Sequence, residues 1–248
     1  MSTLEIILAI SLFFVGYVLN MFYITVFYHR GLAHKSIEVS DRVRKFVFRT
    51  GMWITGMDPK SWVCMHRMHH THSDTEHDPH TPEHCGNLFD MFKIQLQSYR
   101  KILIGLLKDN PEYTKVVKDI DYDVHWTSRV QLWYLPYVFQ GLIGVALLIF
   151  FHPVVGIAYA VGIMSHPVQG ALVNYFGHKT GYRNFETTDN STNNWLVAFI
   201  TMGEGYQNNH HHRPGSAKFK VKWYEVDFGY MLVRVAKFLG IIKSVRTS

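Results

Sequence analysis

Cysteine is nearly missing from this chain: Cys64 and Cys85 are the only two in 248 residues, which excludes a disulfide framework. Both read as packing residues rather than metal ligands. Charge is also scarce, at 18 % against the roughly 25 % of soluble domains, and that deficit points toward lipid. No flavin or nucleotide fingerprint and no fused haem domain is visible, so the chain brings no electron carrier of its own. The net charge of +6 comes without a nucleic-acid-binding module, which excludes nucleic acid as the partner. The N-terminus lacks both the basic segment and the small-residue cleavage site of a signal peptide.

What is abundant is apolar surface and histidine. Hydrophobic residues make up 48 % and aromatics 15 %. Residues 4–28 are apolar apart from Glu5, Asn20 and small polar groups, and at about 1.5 Å per residue they are long enough for a hydrocarbon core of about 30 Å. Residues 132–175 are apolar again, interrupted at His152-Pro153, and predict a helical hairpin with spans at 132–151 and 154–175. Residues 46–57 predict an interfacial amphipathic helix or a core helix, 87–107 a helix lying on the membrane surface, and 195–202 a short apolar helix. Basic residues crowd 30–45 and the tail from Arg213, so both lie on the cytoplasmic side of three spans. The expectation is an all-α integral membrane protein of one domain, 1–248, whose segments 29–131 and 176–248 form a single cytoplasmic cap.

Six of the sixteen histidines fall between Cys64 and His80. His66, His69 and His70 stand at i, i+3 and i+4, and on a helix such residues are surface neighbours. Imidazole suits iron, zinc, copper and nickel, so this face is first a metal hypothesis. His29 and His34 lie at the end of the first span, Asn174 and His178 where the third emerges, and His210, His211 and His212 follow G-E-G-Y-Q-N-N. All these segments share one side. Eight or more imidazoles exceed the four ligands of a structural zinc site and argue for two ions. Carboxylates such as Glu204, Asp74 and Asp78 are expected behind the rings, orienting their nitrogens. His84, His125 and His152 read as surface or hydrogen-bonded residues, His166 as a satisfied core histidine, and His80 as a holder of the cap or of a substrate head group.

The order H-x-x-x-x-H, H-x-x-H-H and x-x-H-H after G-E-G resembles the three histidine boxes of the membrane fatty acid desaturase family, of the acyl-CoA and acyl-lipid delta-9 type. D-P-H at 78–80, N-Y-F-G-H at 174–178, G-Y-R at 181–183 and G-E-G at 203–205 match further landmarks, so the likeness runs from Tyr28 to about Asp227. The resemblance implies transmembrane helices under a cytoplasmic helical cap, a di-iron centre at their junction and an acyl chain in a kinked tunnel. It implies His29, His34, His66, His69, His70, His178, His210 and His211 as iron ligands, with Asn174 holding one iron through water. It also implies dioxygen as co-substrate, a saturated acyl chain on coenzyme A, acyl carrier protein or phospholipid, and electrons from a ferredoxin or small haem cytochrome with its reductase.

Two departures stand out. Family members have four spans, and this chain starts at the second. The third box begins with His in the family, but here that position is Gln207, whose amide oxygen is a harder and weaker ligand. His212 is the candidate to compensate, although adjacent helical residues point about 100° apart. The same boxes also fit a di-iron lipid hydroxylase or ketolase, and Gln207 leaves room for a non-catalytic metal-binding membrane homologue.

Overall fold

The computed structural model describes residues 1–247, the side chain of His84 excepted. Helix α1 (Thr3–Met21) starts at Ser2, whose hydroxyl and the Glu5 carboxylate satisfy each other's backbone amides as a capping box. It runs on without a break as a π-helix, Phe22–Ala33. The combined 31-residue helix is long and apolar enough to cross a membrane. There follow β1 (Ile37–Val39), α2 (Asp41–Thr55), α3 (Pro59–His72), α4 (Leu88–Leu107) and the short α5 (Pro111–Thr114) and α6 (Trp126–Arg129). Next come α7 (Leu135–Phe150), α8 (Pro153–Ile163), α9 (His166–Phe176), α10 (Trp195–Ile200), α11 (Gln207–His212), α12 (Phe228–Phe238) and β2 (Ile242–Val245).

Close helix packing needs small residues at the crossing. A side chain at Gly16 would come within 2.9 Å of the Ile163 nitrogen, and Gly162 lies against the Phe13 carbonyl, so α1 and α8 touch backbone to backbone. α7 folds back on α8 in the same way, with Gly156 packed on Gly144 and Leu148. The outer faces of α1, α7 and α8 remain apolar and exposed, among them Ile7, Phe14, Leu142, Ile149 and Ile157.

Two features differ from the sequence expectation. The apolar stretch 154–175 is two helices, because α8 ends at Ile163 and Pro167 starts a new turn in α9. The chain is also not wholly helical: β1 and β2 pair antiparallel, tying the segment after α1 to the end of the chain. Strands of three and four residues are too short to show a period of two.

The core that carries the site lies around the π-helix. Trp62, Val63 and Met65 of α3 bury against its Tyr28 face, α12 packs on it as well, and α4 packs on α3.

Candidate metal centre

Four segments bring eight histidines to one end of α1. The π-helix supplies the first two. Residues five apart on an α-helix would diverge by about 140° at 100° per residue, but the wider turn, with His34 N–H donating to the His29 carbonyl at 3.1 Å, sets both rings on one face. Their centroids are 4.9 Å apart. Helix α3 begins at Asp58, whose carboxylate accepts the Ser61 amide at 2.8 Å, with Pro59 in the first turn. α11 follows Gly203-Glu204-Gly205. Gly203 sits at φ +103°, and Gly205 lies against the backbone of Val197 and Ala198 with no room for a side chain.

The histidines fall into two groups. His29, His34, His66, His70 and His210 have ligand nitrogens within 4.8 Å of one another, and so do His69, His178 and His211. The face of α3 is therefore shared out: His66 and His70 enter the first group, and His69 the second. α11 does the same with His210 and His211. Each helix straddles the pair, since consecutive residues diverge by about 100°.

The nitrogens are arranged as ligands. In the first group His34 Nε2 lies 2.7 Å from His66 Nε2, and His210 Nε2 is 2.9 Å from that of His29 and 3.0 Å from that of His70. Nitrogens bound at about 2.1 Å and at right angles on one ion lie about 3.0 Å apart. In the second group the Nε2 atoms of His69, His178 and His211 are buried and have no hydrogen-bond partner. Unpaired buried nitrogens facing one another are costly unless something binds them. Both groups therefore fit metal ions.

Carboxylates stand behind the rings. Nδ1 of His69, His178 and His211 faces Asp78 at 2.9 Å, Asp74 at 3.0 Å and Asp189 at 2.6 Å, and Nδ1 of His29 faces Glu204 at 2.5 Å. Such contacts fix the tautomer and aim Nε2 inward. Asp74, Asp78 and Glu204 were expected in this role; Asp189 was not, since its loop, E-T-T-D-N-S-T-N-N, carries only turn signals. Glu204 also accepts from Arg30 at 2.8 Å, and Arg30 continues to Asp227 at 3.2 Å and stacks on Phe219.

Burial and neighbouring imidazoles hold His34, His66, His70 and His210 well below the usual histidine range. Burial holds His211 at about 4 against the pull of Asp189. All five are neutral at pH 7, the state in which imidazole binds a metal. Burial raises Glu204, but His29 and Arg30 outweigh it and bring it down to about 2.

Other expected residues sit apart. His212 is exposed and stacks on Phe185 at 4.0 Å. His166 accepts from Trp62 Nε1 at 3.0 Å, and His125 and His152 cap helices. His80 is buried beside His69, with ring centroids 4.5 Å apart, and shares Asp78 with it. Cys64 and Cys85 are buried free thiols outside both histidine groups. Asn174 and Gln207 line a narrow cavity of about 60 Å³ that reaches His29 and His69, with Met21, Ile24 and Trp62 on its other walls.

Fold and site together define a helical chain with one helix long and apolar enough to cross a membrane and, at the end of that helix, two histidine groups able to hold metal ions. The comparisons make this specific. Residues 6–235 match the fatty acid desaturase family model. An acyl-CoA 5-desaturase of Anemone leveillei is 30% identical over 235 residues, covering 92% of this chain and 68% of that protein. The sn-1 stearoyl-lipid 9-desaturase of Anabaena variabilis is 31% identical over 223 residues, covering 90% and 78%. The delta-9 acyl-lipid desaturase 1 of Arabidopsis thaliana is 31% identical over 229 residues, covering 90% and 70%. The chain belongs to the fatty acid desaturase family. It is an oxidoreductase, a desaturase whose substrate is a fatty acyl chain.

Proposed function

We propose that the whole chain, 1–248, is one multi-pass membrane domain that introduces a cis double bond into a saturated acyl chain at a di-iron centre facing the cytoplasm. The observation that carries this reading is the division of eight buried or half-buried histidines into a group of five and a group of three beside one cavity. His29, His34, His66, His70 and His210 would hold one iron. His69, His178 and His211 would hold the other, with Asn174 reaching it through water. When bound, the irons supply dioxygen activation that no side chain provides.

The reaction balances as follows. Two C–H bonds break and one C=C bond forms. Dioxygen leaves as two waters after taking four electrons and four protons, half from the acyl chain and half from outside. Met21, Ile24 and Trp62 shape an apolar slot for the reacting methylenes beside both groups, and holding the chain there matters because about 1 Å of misplacement can cost on the order of a hundredfold. The exposed apolar faces of α1, α7 and α8 support placement in the bilayer. The outside electrons come from a ferredoxin or small haem cytochrome, which Lys218, Lys220 and Lys222 suit by charge.

The test is turnover by the purified chain in lipid nanodiscs, loaded with ferrous iron and given a reduced donor and dioxygen. Stearoyl chains are presented in turn as coenzyme A thioester, acyl-carrier thioester and phospholipid. A product lighter by two hydrogens supports the reading and names the carrier. A product heavier by one oxygen assigns hydroxylation instead.

A further inference from the structure

The two histidine groups are unequal in charge and in the hardness of the atoms around them. Behind the second group stand three carboxylates, Asp74, Asp78 and Asp189, each on the Nδ1 of a different ring. Behind the first, among the described residues, stands Glu204 alone, and its charge is already shared with Arg30. The first group offers five imidazoles and the second three, so the second has room for further donors.

Two amides near the second group leave an oxygen unpaired among the described residues. Gln207 Nε2 donates to the Glu204 carbonyl at 2.8 Å. Flipping the amide would set oxygen against oxygen, so Nε2 is fixed there and Oε1 is left without a donor among the described residues, on the cavity wall. The side chain lies over Gly177, next to His178, where a Cβ would come within 2.5 Å of it. Asn174 is oriented through a relay. The Pro167 carbonyl accepts from Gln95 Nε2 at 3.2 Å, so Gln95 Oε1 accepts from Asn174 Nδ2 at 3.0 Å, and Asn174 Oδ1 is left for the cavity.

Hard oxygen donors and nearby anions both favour the more highly charged ion, whereas neutral imidazoles beside an arginine favour the lower charge. We infer that the residues around the second group would localise the valence of a bound pair: on loss of one electron from two ferrous ions, His69, His178 and His211 with their three carboxylates would hold the ferric ion, and the five-histidine group would keep the ferrous one. Gln207 serves here as an oxygen donor suited to that ferric ion. The inference rests on the two-iron reading of the site.

The experiment uses the full chain in nanodiscs, saturated with iron-57 and counted for iron before oxidation. One equivalent of ferricenium then takes one electron and becomes ferrocene. Mössbauer and electron paramagnetic resonance spectra are compared for wild type, Asp189→Asn and Gln207→His, all at saturating iron. The expected result is one localised ferric and one ferrous component of equal area. In both variants the ferric component changes and the first oxidation moves to higher potential, while the ferrous component stays as in wild type. Gln207→His carries the test alone if Asp189→Asn does not fold. A delocalised spectrum, or variants that shift only the ferrous component, would overturn the inference and leave the two-iron reading standing. Fewer than two irons in the wild type would overturn both, and the iron count reports that before any oxidation.

Discussion

Arg30 is the residue on which the neighbourhood of the first histidine group depends. It is fully buried between Glu204, Asp227 and the Phe219 ring. Removing one partner of a buried ionic network strands the others without solvation, at a cost of about 3–5 kcal/mol. Arg30→Met should therefore lower the unfolding midpoint strongly in detergent, and an unchanged midpoint would refute the network's importance. The carboxylates behind the rings predict a different signature. Asp74→Asn should keep the fold but weaken metal binding at the second group by roughly 10–100-fold, read by titrating the metal-free protein with ferrous or cobaltous ion. Arg30 was invisible to sequence reading as anything but a basic residue after a span. Its partners lie 174 and 197 positions away, and only the fold brings them to it.

At the scale of elements, the histidine spacings told most of the site and the backbone told the rest. The i, i+3, i+4 pattern on α3 was legible because an α-helix makes those residues neighbours. How the three histidines divide between two groups was not, since that depends on where α11 crosses. The four-residue gap between His29 and His34 makes physical sense only on a π-helix, and such turns leave no mark in hydrophobic periodicity. The break between α8 and α9 falls at Ser165-His166-Pro167, which the reading of one span over 154–175 carries through as a proline tolerated inside a membrane helix. The α1–α8 crossing gives the element-scale prediction. Gly162→Val would push a side chain into the Phe13 backbone, and overpacking of this kind costs about 1–3 kcal/mol. A lower resistance to unfolding in mild detergent is expected, whereas Gly141→Ala, which faces open space, should leave it unchanged.

For the whole molecule, three facts join: a long apolar helix, eight histidines at its end in groups of five and three, and membership of the fatty acid desaturase family. Composition alone pointed to lipid through scarce charge, and the histidine boxes pointed to metal. Neither could reveal that Gln207 is held by the Glu204 carbonyl, or that three of the four carboxylates serve one group. The most direct test of the central claim is the lipid profile of cells expressing the wild-type chain beside a His69→Ala, His70→Ala variant, which removes one ring from each group, by mass spectrometry with double-bond localisation. New acyl chains lighter by two hydrogens are expected in the wild type only, with the double bond at one position. Equal profiles in the two strains, with both proteins present in the membrane and a donor supplied, would contradict it.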